Sequence, residues 1–536
     1  MDCLTAESSL PSRIASLVHA HFDGLPVRSK PTIYPDGSRE WIPMSGIVVV
    51  KGESTVFEKL TCVAVTTGAK CLPASQVSKG RGLVLHDWHA EVLALRSFNY
   101  WLLSECHSLL AQEQHARSSS SANTPGAASS PFIRRRKPTE TSNTAQSEPA
   151  PAWSPFELQP DIEIYMYCTC APCGDASMEL CMAAQDDPSP WEVIAPGPER
   201  TESPRPGAGP ELLDGRGYFS RLGVVRRKPA RADAEATLSK SCSDKLALRQ
   251  VSSLLSYEAS LLVAPTRNAY IEGLILPEEE ISRVGFERCF SATGRMKTLN
   301  ERSWPARDGS VGQYGYGFYP FRVLSVPNDL IEAIWPFRKP KPTSAEATTQ
   351  AQTPPKKNKP GNVSAVWVAA PSLPHPCPIA SENGSKSLPV LRGSRTGLYE
   401  TIINGVKQGN RAASVTPRGA SALSRAKLWG LLRDMVRSSC SGDCTLEVVD
   451  GEIGLHAGNV PEAGSSLQDT ALCQLIAAST YEQFKKTPVA LTPSVKARKD
   501  AIREAKEALK GWIRNEDDEQ WGLDVLVDPK KRKALN

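Results

Sequence analysis

The chain has 536 residues, with 63 Lys+Arg against 58 Asp+Glu and a formal net charge of +5. Hydrophobic residues make up 40% and charged residues 23%, a balance that excludes a disordered tail or a fibrous repeat as the whole molecule. A single compact domain rarely runs this long, so two domains or one domain swollen by insertions are expected, and the clustering of the 43 prolines favours insertions.

The N-terminal MDCLTAESSLPSR lacks the basic-then-apolar pattern of a secretory signal. No uninterrupted apolar run reaches the roughly 18 residues of a membrane span. The 14 cysteines are therefore expected in a reducing compartment, nucleus or cytoplasm, where thiols bind metal or fill core. Ile14, Leu17, Val18 and Phe22 fall at helical spacing after Ser12, the expected cap. Ile47–Val50 and Leu60–Val65 read as strands, the second followed by Thr67-Gly68. Trp88–Ser104 reads as an amphipathic helix with Val92, Leu95, Phe98 and Leu102 on its apolar face. A Ser/Pro-rich insertion over 116–153 follows, then a strand at Ile162–Tyr167 and a helix at Asp175–Ala184. A second insertion, 185–215, carries seven prolines, and a helix is expected over Asp244–Leu255. The third insertion, 336–362, carries six prolines. None of the three shows a helical or strand period, so all are read as disordered insertions. Strands alternating with helices point to an α/β layered fold. Pro529-Lys530-Lys531-Arg532-Lys533 reads either as a nuclear-import run or as a solvated basic tail.

The chemistry gathers where helices begin. His89-Ala90-Glu91 opens one helix and Pro172-Cys173 precedes another. A helix N-terminus offers unpaired N–H groups and a positive dipole end, which favour thiolate and so metal binding. In isolation His89 is equally a core histidine and Cys173 a buried thiol. A catalytic zinc takes three protein ligands and keeps a fourth position for water. His89 and Cys173 supply two, but the compact P-C-x-x-C signature fails because Ala176 stands three residues after Cys173. Cys242, in Ser241-Cys242-Ser243-Asp244-Lys245, is the next candidate, in competition with Cys168, Cys170 and Cys181. A structural site built on Cys168, Cys170, Cys173 and Cys181 would leave His89-Ala90-Glu91 without a role.

Three segments, GLVLHDWHAEVLALRSF (82–98), APCGDAS (171–177) and SCSDKLA (241–247), together resemble the RNA-editing adenosine deaminase family, and most closely its fungal tRNA-specific branch. The resemblance runs over most of the chain outside the insertions, including Ser253–Ser256, Gly294-Arg295-Met296 and the basic C-terminal helix. It implies one three-layer α/β zinc-dependent deaminase domain elaborated with extra helices. It also implies zinc on His89, Cys173 and Cys242, with Glu91 as the catalytic proton carrier. Zinc acidifies a water for attack on adenine C6, while Glu91, two residues past His89, is placed to move protons without ligating. By itself Glu91 is also a first-turn carboxylate complementing the helix dipole.

Residues 221–249 hold eight Lys/Arg and three Asp/Glu, and 485–515 hold nine and three, local excesses suited to phosphate. Lys499, Arg503, Lys506 and Lys510 form a helical stripe, which is also what a solvated face paired through Glu507 would show. Here the resemblance implies a buried inositol hexakisphosphate held by Arg96, Lys245, Arg425, Lys485, Lys506 and Trp512, near Tyr481, with Asp87 and Lys245 linking it to the metal. Leu95 and Leu248 stand where editing relatives carry arginine, and Asn515 where lysine is common. Thr67, Gly68 and Lys70 match the loop that meets the target nucleotide, with Ala69 replacing a threonine. No double-stranded-RNA domain, RNP motif or zinc knuckle is visible. A compact folded RNA is then the expected partner, by resemblance the adenosine just 3′ of the anticodon in alanine tRNA.

Overall fold

A computed structural model describes residues 9–118, 129–136, 154–184, 213–214, 221–228, 235–305, 314–340, 359–373, 396–439, 448–449, 452–453, 478–486, 493–515 and 518–527. The first helix, α1 (Leu10–Asp23), starts earlier than its apolar spacing suggests. Its cap is Ser9, whose Oγ accepts the Ser12 N–H at 3.4 Å, and Ser12 itself is buried in the first turn. Pro11 fits that first turn because its missing N–H needs no partner there. Ser9→Ala is expected to lower stability by about 1 kcal/mol, read as a shifted urea midpoint at unchanged slope.

Eight strands form the central sheet: β1 (Met44–Lys51), β2 (Lys59–Thr67), β3 (Ile162–Cys168), β4 (Ile271–Pro277), β5 (Arg322–Val326), β6 (Ser364–Ala369), β7 (Thr396–Ile403) and β8 (Val406–Lys407). Their order is β5-β4-β3-β1-β2-β6-β7-β8. β3, β4 and β5 run parallel, and the remaining pairs are antiparallel. Side chains alternate between the two faces, and both faces are covered. Ile47, Val49 and Val63 point into one apolar core with α2 (Ala90–Ser118). Met44, Val48, Val50 and Val65 point into the other with α1 and a cluster of Phe22, Trp335 and Phe337. Helix, sheet and helix thus make a three-layer α/β domain, as a β1 buried at every position before Lys51 demands. His19 lies in the second core bonded to the Tyr167 hydroxyl at 2.9 Å, and burial pulls its pKa down to about 3, so it is neutral.

α2 is longer and more deeply set than its spacing predicts. Leu93, Ala94, Leu95, Phe98, Trp101 and Leu102 are buried, whereas Val92 is only half-buried. It packs on β1, β2 and β6 and also meets α4 (Arg425–Ser439), so no wide polar face is left. The Asp175 segment opens as a 3-10 turn before a short helix at Met178–Ala183. α3 spans Cys242–Ser252, two residues earlier than expected, because Ser241 caps it through the Asp244 N–H at 3.2 Å. The stretch 116–153 is not wholly without structure. Ile133–Arg135 pairs antiparallel with Phe156–Leu158, and Phe132 and Ile133 are buried beside Trp101. Most of the 185–215 and 336–362 insertions, and the basic run 529–533, lie outside the described residues. Among the described residues no helix is long and apolar enough to cross a membrane.

Candidate active site

β1 begins, and β2 and β3 end, on one side of the sheet, since Met44 pairs with Thr67 and Ser45 with Cys168. The chain after β2 returns beside the start of α2: Trp88 N–H bonds to Lys70 O at 3.0 Å and Ala90 N–H to Gly68 O at 2.9 Å. Gly68 has φ +152°, and a Cβ there would lie 1.9 Å from Trp88 O, so only glycine permits the approach. Asp87 Oδ1 accepts the His89 N–H at 3.0 Å and orients the turn into α2. From the end of β3, Cys173-Gly174 folds against the start of α3. Gly174 has φ +108°, and a Cβ there would meet Ser241 Oγ at 2.2 Å. Ser243 N–H donates to Cys173 O at 3.0 Å, and Cys242 N–H donates to Cys173 Sγ at 3.4 Å.

These contacts bring His89, Cys173 and Cys242 together, their ligand atoms all within 4.8 Å of one another. His89 Nδ1 lies 3.8 Å from Cys173 Sγ and 3.7 Å from Cys242 Sγ. With Zn–S about 2.3 Å and Zn–N about 2.0–2.1 Å, a tetrahedral ion holds such atoms about 3.5 Å apart, so the set fits zinc. The hydrogen bond with Cys242, with the Lys228 and His89 charges beside it, holds the Cys173 thiol well below its ordinary range, despite burial. Cys168 and Cys170 are not part of the group. Burial pushes both thiols up, and Cys168 Sγ contacts Ser45 Oγ at 3.3 Å. Among the described residues the other metal-capable group is Cys71, Asp87 and His89, which shares His89 and includes an already ion-paired Asp87. The four-cysteine arrangement is not formed.

Glu91 is buried, and its Oε2 has no hydrogen-bond partner. Burial first, then the Cys173 charge, raises its pKa, which makes it a stronger base than a surface carboxylate. Lys228 was not among the residues expected at the site. Its ammonium is buried 2.9 Å from Asp87 Oδ2 and 3.2 Å from Cys242 Sγ. Asp87 also pairs with Lys245 and accepts from Ser239 Oγ. The connection between the cysteines and the basic side therefore runs Cys242–Lys228–Asp87–Lys245 rather than through Asp87 and Lys245 alone. Only the general basicity of 221–249 marked that loop, and nothing distinguished Lys228 from its neighbours.

The remaining predicted residues divide. Thr67 is buried, and its Oγ1 accepts the Ala365 N–H at 2.8 Å, so it serves the sheet. Lys70 stands at the rim against Asn362. Lys485, Lys506 and Trp512 line one cavity of 990 Å³ with Arg498, Lys499 and Arg514, and Lys506 Nζ sits 5.5 Å above the Trp512 ring. Arg96, Lys245 and Arg425 do not line that cavity. Arg96 Nη1 donates to Leu423 O at 2.7 Å, and Arg425 Nη2 donates to His86 Nδ1 at 2.7 Å. Arg249 and Arg498, which the sequence did not single out, both reach Leu255 O, at 3.2 and 3.1 Å. Burial first lowers the pKa values of Arg96, Arg249, Lys485 and Lys506. Neighbouring cations add to it, Arg425 beside Arg96, Arg498 beside Arg249 and Lys485 beside Lys506, while Glu519 opposes the shift of Lys485. Lys499, Arg503, Lys506 and Lys510, the stripe on α5 (Pro493–Ala508) and just past its end, all line that same 990 Å³ cavity. Arg503 is exposed among Asp500, Glu504 and Glu507, and Lys510 lies beyond the helix end. Leu95 is buried in the core and Leu248 packs against it, while Asn515 is exposed and contacts Lys240.

The adenosine-deaminase (editase) domain family matches residues 64–303. A protein named tRNA-specific adenosine deaminase 1 in Schizosaccharomyces pombe is 29% identical over 81% of this chain and 88% of its own length. Its namesake in Saccharomyces cerevisiae is 32% identical over 47% of this chain and 55% of its own. The mouse double-stranded RNA-specific editase B2 is 25% identical over 44% of this chain and 26% of its own length.

Proposed function

The chain belongs to the adenosine-deaminase (editase) family, and we propose that it hydrolyses adenosine to inosine in tRNA. The observation that carries this reading is the convergence of His89 Nδ1, Cys173 Sγ and Cys242 Sγ beside the unpartnered Oε2 of a buried Glu91. We assign His89, Cys173 and Cys242 as zinc ligands. When bound, zinc supplies a Lewis acid that makes a water nucleophilic near neutral pH. Glu91 takes the proton of the water that attacks C6 and delivers it to the ring nitrogen; it then takes the remaining hydroxyl proton of the C6 adduct and passes it to the amino group, which leaves as ammonia while the C6 carbonyl forms. Lys228 holds positive charge against Cys242, and Asp87 fixes Lys228 and the His89 backbone together. Gly68 and Lys70 form the lip where the target nucleotide enters, with Thr67 anchoring that lip to β6.

The basic side of the molecule is assigned to an inositol polyphosphate, by class inositol hexakisphosphate. Arg96, Lys245, Arg425, Lys485, Lys506 and Trp512 contribute to this assignment, joined by Arg249 and Arg498. Buried cations that depress one another are costly without a counter-anion, and although Glu258, Asp518 and Glu519 stand beside them, the cations outnumber these carboxylates. The names of the matched proteins favour tRNA over double-stranded RNA as substrate. The adenosine 3′ of the alanine anticodon is the proposed target. Purified protein incubated with total tRNA should produce inosine there and contain one zinc per chain. Inosine absent from every tRNA, with zinc bound, would overturn the reading.

A further inference from the structure

The reacting centre takes one nucleotide, so the RNA on either side of it has to cross the surface around the lip. That surface is assembled at the end of the sheet where β1 begins. Trp41, just before β1, donates to Lys359 O at 3.1 Å and accepts the Gly361 N–H at 2.8 Å, and the adjoining Asn362 touches Lys70. Ahead of Trp41 the chain closes a hairpin, with Ile33 bridged to Arg39 and the Tyr34 N–H bonded to Ser38 O at 2.8 Å. β7 ends on this side too, since Ile402 pairs with Ser364, and the Gly405 carbonyl in the turn after it accepts the Leu85 N–H at 2.9 Å. Farther along that loop Ala412–Ser414 packs on Val77–Gly80.

The charge of this surface is one-sided. Segments 69–82, 359–363 and 404–419 hold seven Lys/Arg and no Asp/Glu, in a chain whose totals are 63 and 58. Arg39, Lys79, Lys359, Arg411 and Arg418 are exposed, and among the described residues none is in an ion pair. The two acids of the hairpin are used inside it. Asp36 Oδ1 accepts the Ser38 N–H at 3.1 Å, and Glu40 Oε2 accepts the Thr32 N–H at 3.0 Å. On the same hairpin Ile33 is 62% and Tyr34 41% exposed. Unpaired cations beside an exposed aromatic suit a phosphate backbone carrying unstacked bases, whereas a fully paired duplex offers Tyr34 no base face.

We propose that this rim docks the anticodon arm of the substrate, with Arg39, Lys79, Lys359, Arg411 and Arg418 on its phosphates and Tyr34 stacked on an unpaired loop base. The proposal rests on the reading that the substrate is a tRNA.

The test titrates a labelled alanine tRNA transcript at several salt concentrations against wild type, Arg411→Ala/Arg418→Ala, Tyr34→Ala and Lys59→Ala. Lys59 is exposed at the other end of β2, away from the lip. The arginine pair should weaken binding about tenfold and flatten the slope of log affinity against log salt by about 1.5, as two lost phosphate contacts require. Tyr34→Ala should also weaken binding about tenfold, with the slope unchanged. Lys59→Ala should match wild type, and all four proteins should melt at the same temperature. Unchanged affinity in the arginine pair or in Tyr34→Ala overturns the proposal, as does an equal loss in Lys59→Ala, and inosine formed by wild type would leave the tRNA reading standing. Wild type that binds the transcript but forms no inosine in any tRNA overturns the deaminase reading, and the same pattern of weakened variants would still support this surface. Wild type that binds no tRNA overturns both.

Discussion

Glu91→Gln is expected to leave zinc content and tRNA affinity at wild-type levels and to lower inosine formation by about 10²–10⁴-fold. The substitution preserves shape and hydrogen-bonding reach in a buried position, so the surrounding packing has no reason to change. What it removes is the ability to accept and return a proton. Oε2 has no partner to stabilise the ionised form, and burial with the neighbouring Cys173 charge raises the pKa. Those are the conditions for a base working near neutrality rather than for a structural carboxylate. The competing role, a first-turn acid complementing the α2 dipole, predicts a different outcome. Stability would fall by about 0.3–1 kcal/mol and turnover would hold. Single-turnover inosine formation and a thermal melt on the same preparation separate the two, and near-wild-type turnover would assign the proton transfer elsewhere.

The sequence was most readable where chemistry depends on short spacing. His89 and Glu91 sit two residues apart at the start of α2, and Cys242 follows a capping serine, so each position announces itself locally. The strands β1, β2 and β3 were legible for the same reason, as short apolar runs between turns. The register that carries Cys173 to Cys242 was not, because it depends on Gly174 lying against Ser241 across 67 residues of chain. Lys228 lacks any local signature. Its role exists only once its loop folds over Asp87 and Cys242. Similarly, Ile133–Arg135 is too short and too flanked by Ser and Pro to read as a strand, and it exists because Phe156–Leu158 offers an edge and Trp101 a partner for Phe132. The depth of α2 was understated because amphipathic spacing assumes one wet face, whereas this helix is enclosed by the sheet and by α4.

Asp87→Asn is expected to destabilise the fold by about 3–5 kcal/mol, the range for breaking a buried ion pair from one side. Asp87 and Lys228 are each 5% exposed at the side chain, and Lys245 shares the same carboxylate. The variant leaves the Lys228 ammonium buried and facing Cys242 without its counter-charge. Although burial alone would raise the Asp87 pKa, Lys228 and then Lys245 hold it well below the ordinary carboxylate range. A depressed carboxylate pKa contributes stability that is complete above the unfolded value of about 3.9 and is lost as pH falls from there toward the folded value. At neutral pH the wild type therefore has the full contribution, and the Asn variant should lack that acid-side loss. Urea midpoints measured from neutral to acidic pH should show the gap between the two proteins narrowing as the pH drops below about 4. Lys228→Met supplies the second leg. Removing both members of the pair replaces a buried charge with apolar volume, so Asp87→Asn/Lys228→Met should be more stable than the sum of the single losses. Additive losses would mean that the two side chains do not stabilise one another and that Asp87 acts through Lys245 or the His89 N–H instead.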